Sequence, residues 1–110
     1  MDGSYQMPGL YREKHVLVLG LARSGRAAAR LLLDDGAVVT VFDENSSIEA
    51  GRELAGARIG LGKASDDLLD GIGEVVMSPG FRTDHELVRR ALGLSIPVVS
   101  ELELAIETGT

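Results

Sequence analysis

The chain has 110 residues, 45% of them hydrophobic and 25% charged, which suits one compact domain. Cysteine is absent, so disulfide scaffolds, thiolate metal sites and cysteine nucleophiles are excluded. Eleven Lys and Arg against seventeen Asp and Glu leave a net charge of −6, which argues against a nucleic-acid partner, and no apolar run approaches the ~20 residues of a membrane span.

Residues 1–13 read as a flexible polar tail, with Gly3, Pro8 and Gly9 and no hydrophobic period. His15-Val16-Leu17-Val18-Leu19-Gly20 is then a short apolar run closed by glycine, the pattern of a strand buried on both faces. A helix is expected over 24–35, with Ala27, Ala28, Leu31 and Leu32 at helical spacing. Gly36 sits just past it, where a left-handed stop belongs. A second buried strand is expected over 37–42, ending at Asp43.

Ser46 and Glu49 form a possible capping box opening a short helix to about Leu54. A weak third strand follows over 57–60. A short helix over 65–69 is favoured by Asp66 and Asp67 near its start. The fourth strand spans 74–78. Thr83 and Glu86 make a second capping box before a helix over 84–92. The fifth strand spans 97–99, and Ser100 with Glu103 opens a last helix.

Five alternations of strand and helix with short connections mean an α/β fold over 14–110. The expected architecture is a Rossmann-like three-layer sandwich with a five-stranded parallel sheet. The glycine turn after the first strand favours strand order 3-2-1-4-5 over 2-1-3-4-5. Fourteen glycines, where ~7% usage would give about 8, place the information in backbone turns. With no Trp and 4% aromatic residues, aromatic stacking platforms are not expected.

Gly20-Leu21-Ala22-Arg23-Ser24-Gly25 follows the first strand and opens the first helix. In the dinucleotide fingerprint G-x-G-x-x-G, the first glycine makes the turn and the second lets a pyrophosphate approach. The third lets helix and sheet pack closely. Ala22 at the middle position weakens a standard NAD(H) pose, although an NAD(H)-binding dehydrogenase or sensor domain remains the alternative. The unpaired N–H groups at the helix start still make an anion site, to which Arg23 and Ser24 add a cation and a hydroxyl.

Asp43 lies 18 residues after Gly25, where an acid accepts hydrogen bonds from a ribose or a base edge. Glu44 and Asn45 stand beside it. Ser78-Pro79-Gly80 follows the fourth strand and, in the order 3-2-1-4-5, flanks the switch point at which ligands lie. No G-x-x-x-x-G-K-[ST] loop is present, since Gly62-Lys63 is followed by Ala64. No G-x-S-x-G elbow exists, and His15 and His85 have no clustered partners, so neither catalytic residues nor a metal site is expected.

VLVLGLARSGRAAARLL, VVTVFDEN, EVVMSPGF and IPVVSELELA, in this order and spacing, resemble the Mur ligases over about residues 14–107. The resemblance is nearest to the branch that adds D-glutamate to UDP-N-acetylmuramoyl-L-alanine in peptidoglycan synthesis. It implies an N-terminal domain that binds the UDP part of the nucleotide sugar, followed by a central ATPase domain and a C-terminal domain. ATP with Mg²⁺ phosphorylates the substrate carboxylate in such enzymes, and the incoming amine displaces the phosphate. The diphosphate-holding residues of the glycine turn fall on Leu21, Arg23 and Ser24. The uracil-end acid falls on Asp43, with Glu44 and Asn45 beside it, and the uridine-lining loop on Ser78, Pro79 and Gly80. The ATPase and C-terminal domains would lie beyond Thr110, so this chain alone is expected to be a cytoplasmic, catalytically silent UDP-binding domain. Removing the Arg23 side chain should weaken diphosphate compounds more than uridine, and removing that of Asp43 should do the reverse.

Overall fold

Apolar runs of four to six residues, flanked by glycine or acid, form the centre of the sheet because their β-branched side chains pack on both faces of a pleated surface. The computed structural model describes residues 9–49 and 51–100. Its strands are β1 (His15–Leu19), β2 (Val38–Asp43), β3 (Arg58–Leu61), β4 (Glu74–Met77) and β5 (Val98–Ser100). All pair in parallel, in the order β3-β2-β1-β4-β5. The register sets Leu19, the last residue of β1, beside Phe42 and Met77. The expected strand order and class are therefore observed.

The period of two divides the side chains between two cores. On one face Val16, Val18, Val39, Val41 and Val76 pack with Ala28, Ala29 and Leu32 of helix α1 (Arg23–Asp34). On the other, Leu17, Leu19, Phe42 and Val75 pack with Leu68, Leu69 and Ile72 and with Leu87, Val88 and Ala91 of helix α2 (Glu86–Gly93). Connections running from β1 towards β3 cover the first face, and those running back through β4 to β5 cover the second. One crossover hand combined with a reversal of direction at β1 requires this arrangement. Leu32, wholly buried, carries α1 onto the sheet, and its truncation to alanine would cost ~2–5 kcal/mol.

Helix α1 stops at Asp34, with Gly36 at φ 94°, as its position predicts. Other expectations are corrected. Residues 46–49 are not helical: Asp43 Oδ1 accepts the Asn45 N–H at 2.8 Å, and Asn45 Oδ1 accepts the Ser47 N–H at 2.9 Å. Such local side-chain bonds compete with helix formation, and only a 3-10 turn forms at Arg52–Leu54. Residues 66–71 are turns instead of a helix. Ser65 Oγ there donates to Asp67 Oδ1 at 2.6 Å and caps no backbone.

Helix α2 begins at Glu86, later than Thr83 suggests, because His85 is its N-cap: its Nδ1 accepts the Leu87 N–H at 3.0 Å. The helix expected from Ser100 and Glu103 lies outside the described residues beyond Ser100 itself, which ends β5. The tail expected over 1–13 is docked from Gly9 onward. Asp35, 4% exposed, accepts the Gly9 and Tyr11 N–H groups, each at 2.6 Å. Tyr11 is itself 4% exposed, within the α1-side core. Among the described residues no helix is long and apolar enough to cross a membrane.

Candidate functional site

The turn after β1 is held by a three-way contact among Gly20, Gly25 and Ser78. Gly20 has φ 96°, a conformation that favours glycine. The buried Ser78, just past β4, donates its Oγ–H to the Gly20 carbonyl at 3.0 Å. A Cβ on Gly25 would stand 1.9 Å from the Gly20 carbonyl oxygen and 2.5 Å from Ser78 Oγ. The first turn of α1 thus sits against the end of the sheet with no room for a side chain, as the third glycine of the motif implies.

Leu21 is buried, and both polar groups of its backbone are engaged. Its N–H donates to Asp43 Oδ2 at 2.7 Å and its carbonyl accepts from Arg26 Nε at 3.0 Å. Arg26 reaches onward to Glu53 Oε1 at 2.9 Å and to the Glu49 carbonyl, tying the glycine turn to the loop before β3. Ala22 caps α1 without a side-chain hydrogen bond, and the first turn carries no acid. The leading N–H groups therefore face outward with the positive end of the helix dipole, a setting that favours an anion.

A cleft of about 230 Å³ opens there, at the carboxyl ends of β1, β2 and β4. Gly20, Ala22 and Ser24 form its α1 side, and Asp43 and Glu44 its β2 side. Ser78, Pro79 and Gly80, followed by Phe81 and Arg82, form its β4 side. The structure thus gathers eight of the twelve expected positions around one cavity. Leu21 and Gly25 lie beneath it as framework, Arg23 is exposed on the first turn of α1, and Asn45 is turned towards Ser47.

Phe81 and Arg82 were not expected. Phe81, an apolar residue in a polar loop, is the one visible hint. It stands 5.0 Å from the His85 ring, with Phe42 5.8 Å from the same ring, so few aromatics nonetheless converge beside the cleft. Glu44 Oε2 joins Arg82 Nη2 at 3.0 Å and His85 Nε2 at 3.3 Å. The hydrogen bond and charge of Glu44 hold Arg82 above the ordinary arginine range.

The Ser78 hydroxyl is committed to Gly20, and both oxygens of Asp43 accept backbone N–H groups. Among the described residues no three His, Asp or Glu side chains come together as metal ligands would. Lys63 lies in an adjoining open concavity that shares Glu44 and Arg82 with the cleft and is lined also by Asp66, Asp84 and Glu86, where no glycine-rich loop cradles a phosphate. These residues do not fit ATP with Mg²⁺.

The sequence matches the family described as Mur ligase MurD-like, N-terminal domain, over residues 14–100. The UDP-N-acetylmuramoylalanine--D-glutamate ligase of Halalkalibacterium halodurans is 44% identical over 99 residues. That of Streptococcus mutans is 48% identical over 101 residues. In each case the match covers 86% of this chain and 22% of the relative, so the chain spans less than a quarter of the length of these curated relatives. Among solved structures, shikimate dehydrogenase from Aquifex aeolicus matches with a TM-score of 0.55 at 18% identity, over 90% of this chain and 46% of that one. That likeness is one of fold. The family match, by contrast, takes in every strand from β1 to β5 and is backed by identities near one residue in two, and it makes this chain a member of the MurD-like Mur ligase N-terminal domains.

Proposed function

We propose that this domain binds the UDP end of UDP-N-acetylmuramoyl-L-alanine for an ATP-dependent, amide-forming ligase that adds D-glutamate in peptidoglycan precursor synthesis. The observation that carries this reading is the cleft at the carboxyl ends of β1, β2 and β4, lined by the glycine turn, Asp43 and the Ser-Pro-Gly loop. Open α/β sheets bind ligands at such a switch point.

In this reading the outward N–H groups of α1, with Arg23 and Ser24, receive the diphosphate. Asp43, Glu44 and Asn45 stand at the uridine end, and Pro79 and Gly80 form the wall against it. Leu21 acts as framework, because Asp43 and Arg26 already occupy its N–H and carbonyl. No catalytic role falls to these residues. The chemistry of ATP and Mg²⁺ belongs to a central ATPase domain and a C-terminal domain of the cytoplasmic parent enzyme, this domain's partners.

The test is a two-dimensional amide NMR titration with UDP and, separately, with NAD⁺. UDP is expected to bind with Kd on the order of 0.1–10 mM, since contacts to sugar and peptide are missing. Shifts should concentrate at residues 20–25, 43–45 and 78–82. Stronger, similarly placed shifts with NAD⁺ would overturn the proposal in favour of a dehydrogenase-type cofactor domain.

A further inference from the structure

The two walls of the cleft belong to opposite faces of the sheet. Helix α1 packs on the face of Val16 and Val18, whereas Phe42 and Phe81 belong to the core on the face of Leu17 and Leu19. The Glu44–Arg82 pair, joining the loop after β2 to the loop after β4, therefore bounds the cleft across the sheet edge from the first turn of α1. A ligand with its anionic group on α1 extends over the end of β1 and meets this pair.

The pair is anchored from inside the protein. His85 is 8% exposed and in contact with the rings of Phe42 and Phe81. Its Nδ1 accepts the Leu87 N–H, so Nε2 carries the proton and points it at Glu44 Oε2, 3.3 Å away. The same Glu44 oxygen accepts from Arg82 Nη2 at 3.0 Å. A half-exposed carboxylate is thus fixed by a buried imidazole, and it fixes an exposed guanidinium in turn. One further contact, to Asp84 at 3.8 Å, leaves most of the five N–H donors of Arg82 uncommitted among these contacts.

We infer that Arg82 is a ligand-contacting, specificity-determining residue of the cleft, and that Glu44 and His85 are the positioning residues that hold it opposite α1. This rests on the nucleotide-binding reading above and names the chemistry at the nucleoside end. A guanidinium offers donors only. A uracil edge turns carbonyl acceptors towards it. A cytosine edge has an amino group, itself a donor, in place of the 4-carbonyl and faces the guanidinium unfavourably.

The test uses this chain with Arg82→Gln, Glu44→Gln and His85→Asn, titrated with UDP and CDP. Asparagine is among the best N-cap residues, so His85→Asn keeps the cap on α2 while removing the reach to Glu44 together with the ring that packs on Phe42 and Phe81. Arg82→Gln should weaken UDP about tenfold, as loss of a charged hydrogen bond does, and narrow the UDP-to-CDP ratio. His85→Asn and Glu44→Gln should each weaken UDP about threefold and add nothing in the Arg82→Gln background, the coupling expected within one network. ¹⁵N relaxation at Arg82 Nε, measured without ligand, should show an ordered side chain in the wild type and a mobile one in His85→Asn. An unchanged UDP-to-CDP ratio in Arg82→Gln, additive losses, or an equally ordered Arg82 in His85→Asn would each overturn the inference. A wild-type chain that binds no UDP while Arg82 is ordered would overturn the proposed function and the nucleoside contact with it, leaving only the relay from His85 to Arg82.

Discussion

The Asp43 carboxylate accepts the N–H of Leu21 at 2.7 Å across the gap between two adjacent strand ends, so the acid after β2 shapes the glycine turn after β1. Its other oxygen orders Asn45 at 2.8 Å. Asp43→Ala leaves the Leu21 N–H buried without this acceptor, which costs ~1–3 kcal/mol. That loss lowers Tm by roughly 4–8 °C per kcal/mol in a domain of this size. The sequence-based expectation that losing Asp43 weakens uridine more than diphosphate compounds leaves out this hold on the glycine turn. Asp43→Ala is expected to weaken UDP and inorganic diphosphate together, which parallel calorimetric titrations will show.

Gly25→Ala and Gly80→Ala form a matched pair with opposite outcomes. The methyl group at Gly25 collides with the Gly20 carbonyl at 1.9 Å, and that atom is backbone and cannot swing away. Destabilisation should exceed the ~1–3 kcal/mol of ordinary overpacking. At Gly80 an added Cβ meets nothing within 4 Å, so stability should stay within ~0.5 kcal/mol of wild type. Chemical denaturation of both variants with unchanged m-values checks the contrast.

Arg23 is exposed on the first turn of α1, so Arg23→Ala should leave Tm unchanged within the ~0.5 kcal/mol typical of surface positions. Its expected effect is on ligand affinity. UDP should weaken more than uridine, and the salt dependence of UDP binding should flatten, because a screened charge has been removed. Equal losses for UDP and uridine would place the diphosphate elsewhere.

Much of this fold was legible because its signals are local. The apolar runs of β1, β2 and β4 and the glycine-to-helix turn need no knowledge of distant residues. The same holds for the acid at the end of β2. Expectations failed where side chains captured backbone groups. Asp43 and Asn45 unwind the expected helix after Ser46, and His85 takes the cap that Thr83 was expected to supply. Tyr11 escaped notice because a lone aromatic has no period, and its burial depends on Asp35, 24 residues away. The Glu44–Arg82 contact spans 38 residues between two loops, and no spacing rule reports such a meeting.

The exposed Glu53 carboxyl lies below the usual glutamate range, first because of a backbone hydrogen bond in its own loop and then because of Arg26. A depressed folded value means that the stabilisation is present above the unfolded pKa and is lost as pH falls through the folded one. Carbon-detected NMR titration should place the Glu53 midpoint below the ordinary 4.5. Arg26→Gln should raise it only partway, since the backbone bond survives. The same variant should perturb the Leu21 and Arg23 amides, because Arg26 Nε holds the Leu21 carbonyl.

Asp35 binds the N-terminal segment to the end of α1 through two bonds of 2.6 Å while almost wholly buried. Tyr11, placed in the core by this clamp, also donates its hydroxyl to Glu74 Oε2 at 3.0 Å, so the segment reaches the first residue of β4. Asp35→Ala leaves two N–H groups without these acceptors and frees the tyrosine ring, and the two effects together should cost ~2–4 kcal/mol. Asp35→Asn keeps one acceptor oxygen and should lose less. The chain has no tryptophan and only two tyrosines, Tyr5 and Tyr11, so in a Tyr5→Phe background tyrosine emission reports on this clamp alone. Asp35→Ala should raise the accessibility of that emission to a neutral quencher at temperatures where far-ultraviolet circular dichroism still shows an intact sheet. Loss of both signals in a single transition would show that the clamp is part of the cooperative core and not a separable strap.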